Sequence, residues 1–241
     1  MHRDPGTFGA FAREHLARIE EANASTVAAV AERIAATVEA DGVLYPAGTG
    51  HSLALVLETF YRAGGLANVR PVWHPALLPL HGGPASTLLE RVEGFAALLL
   101  KDLPVGPADT AIVVSNSGVN PVPVELARGF RERGAAVVAI VSRPHHAEAP
   151  RRASSTLVDE ATWVLDTGSP VGDASLEVGT TRVAPLSNLA GIHLWNLVLA
   201  AAVGILDARG IAAPVWQSSN AVGGDERNAE LRRRFEGRIP T

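Results

Sequence analysis

Apolar residues recur at Phe8, Phe11, Leu16, Ile19, Val27, Val30, Ile34 and Val38, in steps of three, four, five or eight that stay on one helical face. The pattern predicts a helix over 7–40, capped by Thr7 and stopped by Asp41-Gly42, with Asn23 to Thr26 as a possible break. A stripe of that length can cover a sheet or pack against a second subunit. After Gly42 the rhythm changes. Short apolar runs at 43–47, 68–73, 110–114, 135–141 and 161–165 predict strands. Helical patterns lie between them. One follows Gly48-Thr49-Gly50-His51-Ser52 and runs to Gly64-Gly65. A second opens at the capping box Thr87 to Glu90 and reaches about Leu100. A third starts at Pro121, with Asn120 as its cap, and ends at Gly134. A long apolar helix over 187–208 stops at Gly210, after a loop rich in Gly, Ser and Pro.

The strands are continuous apolar runs without alternation, as expected of a parallel sheet covered on both faces. The fold class predicted is α/β, a doubly wound sheet of about five parallel strands with a long N-terminal helix. One domain over 1–241 is expected: a helical arm at 7–40, a core at 42–210 and a tail at 211–241 packing on the core. In the tail, Asp225 can cap a last helix whose Arg232-Arg233-Arg234 run makes a solvated end.

Composition narrows the function. The chain has 241 residues, 47% of them hydrophobic, enough to bury a core and too many for a disordered polymer. A net charge of -4 argues against nucleic acid as a partner, since phosphate backbones require a basic footprint. The absence of Cys excludes disulfides, thiolate nucleophiles and Cys-zinc sites. The apolar run near 194–206 is interrupted by Trp195-Asn196 and Gly204, so no membrane span is expected, and a cytoplasmic protein is. The single lysine, Lys101, leaves little room for Schiff-base chemistry, and there is no Gly-Lys-Ser/Thr phosphate loop.

Ligands of doubly wound sheets bind beyond the carboxyl ends of the strands. Two strand-to-helix loops there stand out. Gly48, Thr49, Gly50, His51 and Ser52 form the first, either a plain tight turn or a turn that aims backbone N–H groups at an anion. It is not a dinucleotide fingerprint: the third glycine position holds Leu53, and no acidic residue ends the next strand. Ser115, Asn116, Ser117 and Asn120 crowd the second, 115–120. Their neutral donors suit a phosphate without Arg or Lys.

The order strand, GTGHS, helix, strand, SNSG-x-N, helix resembles the SIS (sugar isomerase) domain, a phosphosugar-binding family with a flavodoxin-like sheet of five parallel strands. The resemblance covers about residues 10–210 and is strongest over 109–142. It implies that Ser115 and Ser117 hold the phosphate and that Ser52 faces the sugar. Asn120 stands where the family usually has Ser or Thr. Together with the SSNAVGGDERNA stretch of the tail, the chain is most similar to a bacterial branch of stand-alone SIS-domain proteins. The ligand implied is a phosphorylated sugar or amino sugar, with no cofactor and no metal, in a homodimer or higher homo-oligomer.

The resemblance also implies aldose–ketose interconversion through an enediol, with a carboxylate or imidazole taking the C2 proton. Glu177 resembles in placement the glutamate preceding the last helix of the glucosamine-6-phosphate synthase branch, although the segment GVAST is not reproduced. Asp173 is the alternative. His193 lies in a helix similar to one that carries a catalytic His in phosphoheptose isomerase, where that His falls later, near Val198. Glu58 sits where the heptose enzymes keep metal or acid–base residues. Ser187 can cap the last helix and reach a sugar hydroxyl. His51 and His81 are placed to approach a ligand, and Asn220, Asp225 and Glu226 can fold back onto the pocket. Without proton chemistry, the same loops would make a phosphosugar sensor or a scaffold dimer with vestigial loops.

Overall fold

The computed structural model describes residues 6–240. In chain order the elements are α1 (Gly6–Glu39), β1 (Leu44–Gly48), α2 (Leu53–Thr59), α3 (Gly83–Leu89), α4 (Phe95–Leu100), β2 (Thr110–Val114), α5 (Pro121–Glu132), β3 (Ala136–Val141), α6 (Arg143–Glu148), α7 (Leu157–Glu160), β4 (Trp163–Asp166), β5 (Ala174–Val178), β6 (Thr181–Pro185), α8 (Ser187–Ala208) and α9 (Gly224–Arg234). Four strands form a parallel sheet in the order β1-β2-β3-β4. The stretch 68–72 lies parallel along the free edge of β1, so the spatial order is that of a doubly wound sheet.

The expected fifth strand is thus reduced to two bridges, Leu44 with Val69 and Ala47 with Val72. Proline explains the reduction. Leu44 donates to Asn68 O and accepts from Arg70 N, both at 2.8 Å, and Pro46 O accepts from Val72 N at 2.8 Å. Pro46 has no N–H to return, so the ladder loses a bond.

Each apolar strand splits its residues by a period of two between two cores. Leu44, Ile112, Val114, Val138, Ile140 and Leu165 meet α1 and α8 on one face. Tyr45, Ala47, Ala111, Val113, Val137, Ala139 and Val141 meet α2, α4 and α5 on the other. Trp216, Leu231, Phe235 and Ile239 of the C-terminal segment join this second core. α8 is long and apolar enough to cross a membrane by composition, at a mean hydropathy of 2.0. Here it lies along α1 and buries Ala190, Leu194, Trp195, Val198, Ala202 and Leu206.

α1 runs unbroken through 23–26, because tertiary contacts occupy the polar residue expected to break it. Asn23 Nδ2 donates to Ile19 O at 2.7 Å and to Asp166 O at 3.0 Å, and Asn23 Oδ1 accepts from Asp166 N at 2.8 Å. His15 adds a second tie, donating from Nε2 to Thr167 O at 2.8 Å and accepting from Arg18 at Nδ1. Burial holds its imidazole below the usual histidine range, which keeps it neutral beside Arg18.

The segment 166–186, expected as loop, instead contains the antiparallel hairpin β5–β6. The helical pattern after GTGHS also closes early, at Thr59. The box Thr87 to Glu90 does not open a helix. α3 begins at Gly83 with Pro84 in its first turn and ends at Leu89, so Glu90 caps the C-terminus. The start signal that prevails is proline in the first turn.

Glu160 is the buried charge that joins α5 to α7. Its carboxylate accepts from Arg128 Nε at 3.1 Å, Arg131 Nη2 at 2.6 Å and Ser155 Oγ at 2.5 Å. Burial alone would raise its pKa, but Ser155, Arg128 and Arg131 outweigh it and hold the carboxyl below the usual range. The stabilisation is therefore fully present above the unfolded glutamate pKa and is lost as pH falls through the lower folded value. Glu160→Gln should cost about 1–2 kcal/mol at neutral pH, an allowance that includes the exposed Arg131. Urea unfolding at pH 7 and pH 4 measures this; an equal loss at both would exclude a charge-linked role.

Candidate functional site

β1 and β2 end side by side, so the loops after them open on the same edge of the sheet. Both line one cavity of about 370 Å³. The first loop contributes Thr49, Gly50, His51 and Ser52, the second Ser115, Asn116, Ser117 and Asn120. Segments distant in sequence complete the wall: Pro79, Gly83, Ser86, Thr87 and Glu90 from the α3 region, His145 from α6, and Asp173 and Ser187 at the start of α8. Among the described residues no Arg or Lys lines this cavity. Its size falls in the usual range for small-molecule sites, about 300–1,000 Å³.

In the first loop, Gly48 ends β1. A Cβ there would lie 3.3 Å from both Ser52 Cβ and Val114 O, so glycine allows the close turn. Residues 50–52 make one turn of 3₁₀ helix before α2, and Ser52 N donates to Thr49 O at 3.2 Å. His51 is exposed, and its carbonyl accepts from Asn188 Nδ2 at 3.2 Å, tying the loop to α8.

In the second loop, Ser115 Oγ accepts from Gly118 N at 3.1 Å, which leaves its hydroxyl hydrogen free to donate. Gly118 is left-handed, with φ 63°. Ser117 keeps its hydroxyl free of protein partners among the described residues, while its carbonyl accepts from His146 Nδ1 at 2.7 Å. Asn120 precedes α5 but makes no capping bond. Pro121 and Pro123 bring no N–H to that first turn, and Val122 N donates to Glu90 O at 3.1 Å. The donors this loop offers a ligand are therefore its own hydroxyls and amides rather than the amides of the helix.

Glu90 joins the two loops. Its Oε2 accepts from Thr49 Oγ1 at 2.8 Å, and its Oε1 accepts from Asn120 Nδ2 at 2.9 Å. Arg152 Nη1 donates to Asn120 Oδ1 at 3.2 Å, and since arginine only donates, this fixes the amide with its nitrogen toward Glu90. Burial raises the Glu90 pKa and outweighs the opposing effects of Thr49, Arg91 and Arg152. Sequence reading missed this residue by assigning it to a capping box. Pro84 was the signal that would have moved the helix start and freed Glu90.

Asp173, which also lines the wall, already accepts three hydrogen bonds. Its Oδ1 accepts from Leu186 N at 3.0 Å and Ser187 N at 2.7 Å, and its Oδ2 accepts from Ser187 Oγ at 2.8 Å. It supplies the cap that Ser187 was expected to provide for α8. His145 Nδ1 accepts from Gly172 N at 3.2 Å, so its neutral ring carries hydrogen on Nε2.

The other proton-transfer candidates lie elsewhere. Glu177 is exposed on β5, paired in register with Arg182. Glu58 is held by Arg62 at 3.0 Å on α2. His193 faces Glu20 of α1 at 3.3 Å. None of the three lines the cavity, nor do His81, Asn220, Asp225 or Glu226. Among the described residues no group of three or more His, Asp or Glu is placed to hold a metal ion.

The family model for the SIS domain matches residues 7–142. A UPF0309 protein of Brucella anthropi is 39% identical over 219 residues, covering 90% of each chain. A UPF0309 protein of Listeria monocytogenes is 35% identical over 229 residues, covering 93% of each. Among solved structures, the sugar isomerase domain of an RpiR transcription factor from Sphaerobacter thermophilus superposes with a TM-score of 0.54 at 16% identity, over 96% of this chain and 97% of that one. Phosphoheptose isomerase GmhA from Neisseria gonorrhoeae gives 0.52 at 14% identity, over 81% and 95%. These two likenesses concern the fold.

Proposed function

The chain belongs to the SIS-domain family, and on that premise we propose that it binds a phosphorylated sugar or amino sugar and interconverts its aldose and ketose forms. One observation carries the reading: the two loops rich in hydroxyl and amide groups, separate in sequence, line a single cavity at the carboxyl edge of the sheet. Ser115 and Ser117 hold the phosphate as neutral donors, Ser52 faces the sugar, and Thr49, Gly50, His51 and Asn116 complete the cradle. Transfer between C1 and C2 requires a carboxylate to move one proton and donors to steady the enediolate oxygen. Self-association belongs to the same proposal, because Leu189 of α8 is 40% exposed and its neighbours Ile192, Leu197 and Leu199 are only partly covered.

A second reading is a phosphosugar sensor without catalysis. It is favoured by the positions of Glu177, Glu58 and His193, all outside the cavity wall. Both readings expect thermal stabilisation by sugar phosphates, and a protein indifferent to hexose, pentose and hexosamine phosphates would exclude both. Exchange of the C2 proton in D₂O, followed by NMR, separates them: an enzyme exchanges it and a sensor does not.

A further inference from the structure

Resting on that reading, we propose that Glu90 is the catalytic carboxylate of this site, the group that takes the proton from C2 and, after exchange with solvent, protonates C1. The placement is unusual for a structural glutamate. Glu90 lines the 370 Å³ cavity and also an adjoining one of about 360 Å³, so the residue stands at the boundary between them. Each oxygen is held by one uncharged donor, Thr49 from the first loop and Asn120 from the second. No salt bridge neutralises it among the described residues. The Arg152 guanidinium donates to Asn120 rather than to the carboxylate.

An ionised carboxylate has about four lone-pair positions. Two are used here, so each oxygen keeps one free to accept a proton. The remaining groups of the wall have less to offer. Asp173 already accepts three hydrogen bonds, and His145 presents an N–H on the side away from Gly172. His51 is exposed to solvent, where an imidazole is less well fixed. A base fixed in orientation by two loops that also grip the ligand is pre-positioned for proton transfer.

The step balances. As Glu90 takes the C2 hydrogen as a proton, the C2–H electron pair forms the C1–C2 double bond and the C1 carbonyl oxygen gains one solvent proton. The neutral Glu90 carboxyl then gives its proton to C1, the C2 hydroxyl gives one to solvent and the C2 carbonyl forms. No oxidant, reductant or cofactor is consumed.

The test uses the full chain and the panel of hexose, pentose and hexosamine phosphates. Glu90→Gln keeps the shape and removes the base. It should leave thermal stabilisation by the bound sugar phosphate in place while C2 exchange falls by about 10²–10⁴-fold. Glu90→Asp should retain measurable exchange with its acid limb displaced, a change that a structural role would not produce. Exchange in Glu90→Gln within tenfold of the wild type, or a Glu90→Asp pH profile identical to it, overturns the assignment to Glu90 alone. If Glu90→Gln fails to fold, the Glu90→Asp profile still decides. A wild type that binds without exchanging overturns the isomerase reading and this assignment with it, leaving the sensor.

Discussion

Adding one methyl group at Gly42 is expected to destabilise the protein by about 3 kcal/mol, the upper end for overpacking a filled interior. Gly42 joins α1 to β1 and is buried. A Cβ there would lie 2.4 Å from the carbonyl oxygen of Ala108, 2.9 Å from its carbon and 3.1 Å from Thr37 Cγ2. The first two are backbone atoms, so no side-chain rotation relieves the clash. Gly42 cannot retreat either. Its N–H donates to Thr37 O at 2.8 Å and its carbonyl accepts from Asn68 Nδ2 at 2.9 Å. The opposing turn is equally fixed, with Asp109 accepting from Val43 N and Gly106 N, each at 2.7 Å. For a chain of this size the melting temperature should fall by about 6–12 °C. Gly106→Ala is the matched control, since a Cβ there meets nothing within 4 Å. A Gly42→Ala protein that melts with this control would show that α1 and the 106–109 turn are not packed as described.

Ser117→Asp should weaken sugar-phosphate binding on the order of a hundredfold or more while leaving the fold unchanged. Two effects add. The substitution removes a hydroxyl donor to a charged group, about 1–3 kcal/mol. It also sets a carboxylate against the phosphate; at 4 Å and an effective dielectric near 20, unit charges repel by about 4 kcal/mol before screening. Half of the combined cost, about 2.5–3.5 kcal/mol, is on the order of a hundredfold in Kd. The fold should tolerate the change because the Ser117 hydroxyl has no protein partner among the described residues and the side chain is only half-buried. Calorimetric titration with the tightest sugar phosphate of the panel provides the measurement. Ser117→Ala should fall between wild type and Ser117→Asp. Equal affinity in all three would move the phosphate out of this loop.

Both experiments probe features of different legibility. The two-faced sheet was readable because each strand is apolar at successive positions, and only a sheet packed on both sides requires that. The two loops were readable from small polar residues set between an apolar run and a helical pattern. Boundaries were less secure. Thr87-Leu88-Leu89-Glu90 has the residue types of a capping box, yet the helix starts earlier, and a four-residue pattern does not reveal which start signal prevails. The hairpin over 174–185 is not legible because its strands are short, mix polar with apolar residues and, in the case of Val178 and Val183, are about 40% exposed. Glu177, Glu58 and His193 have the chemistry and the position in sequence for proton transfer, and neither says which way a side chain points.

Local pattern alone determined the layered α/β architecture and the two strand-to-helix loops of small polar residues, since periodicity and turn chemistry act over a few residues. The convergence on Glu90 came only with the tertiary structure. Its partners Thr49 and Asn120 stand 41 and 30 residues away along the chain, and no spacing rule connects them. Parallel strands require long crossovers. The carboxylate carried on one such crossover reaches the loops after β1 and β2 only because the sheet sets those two strand ends side by side.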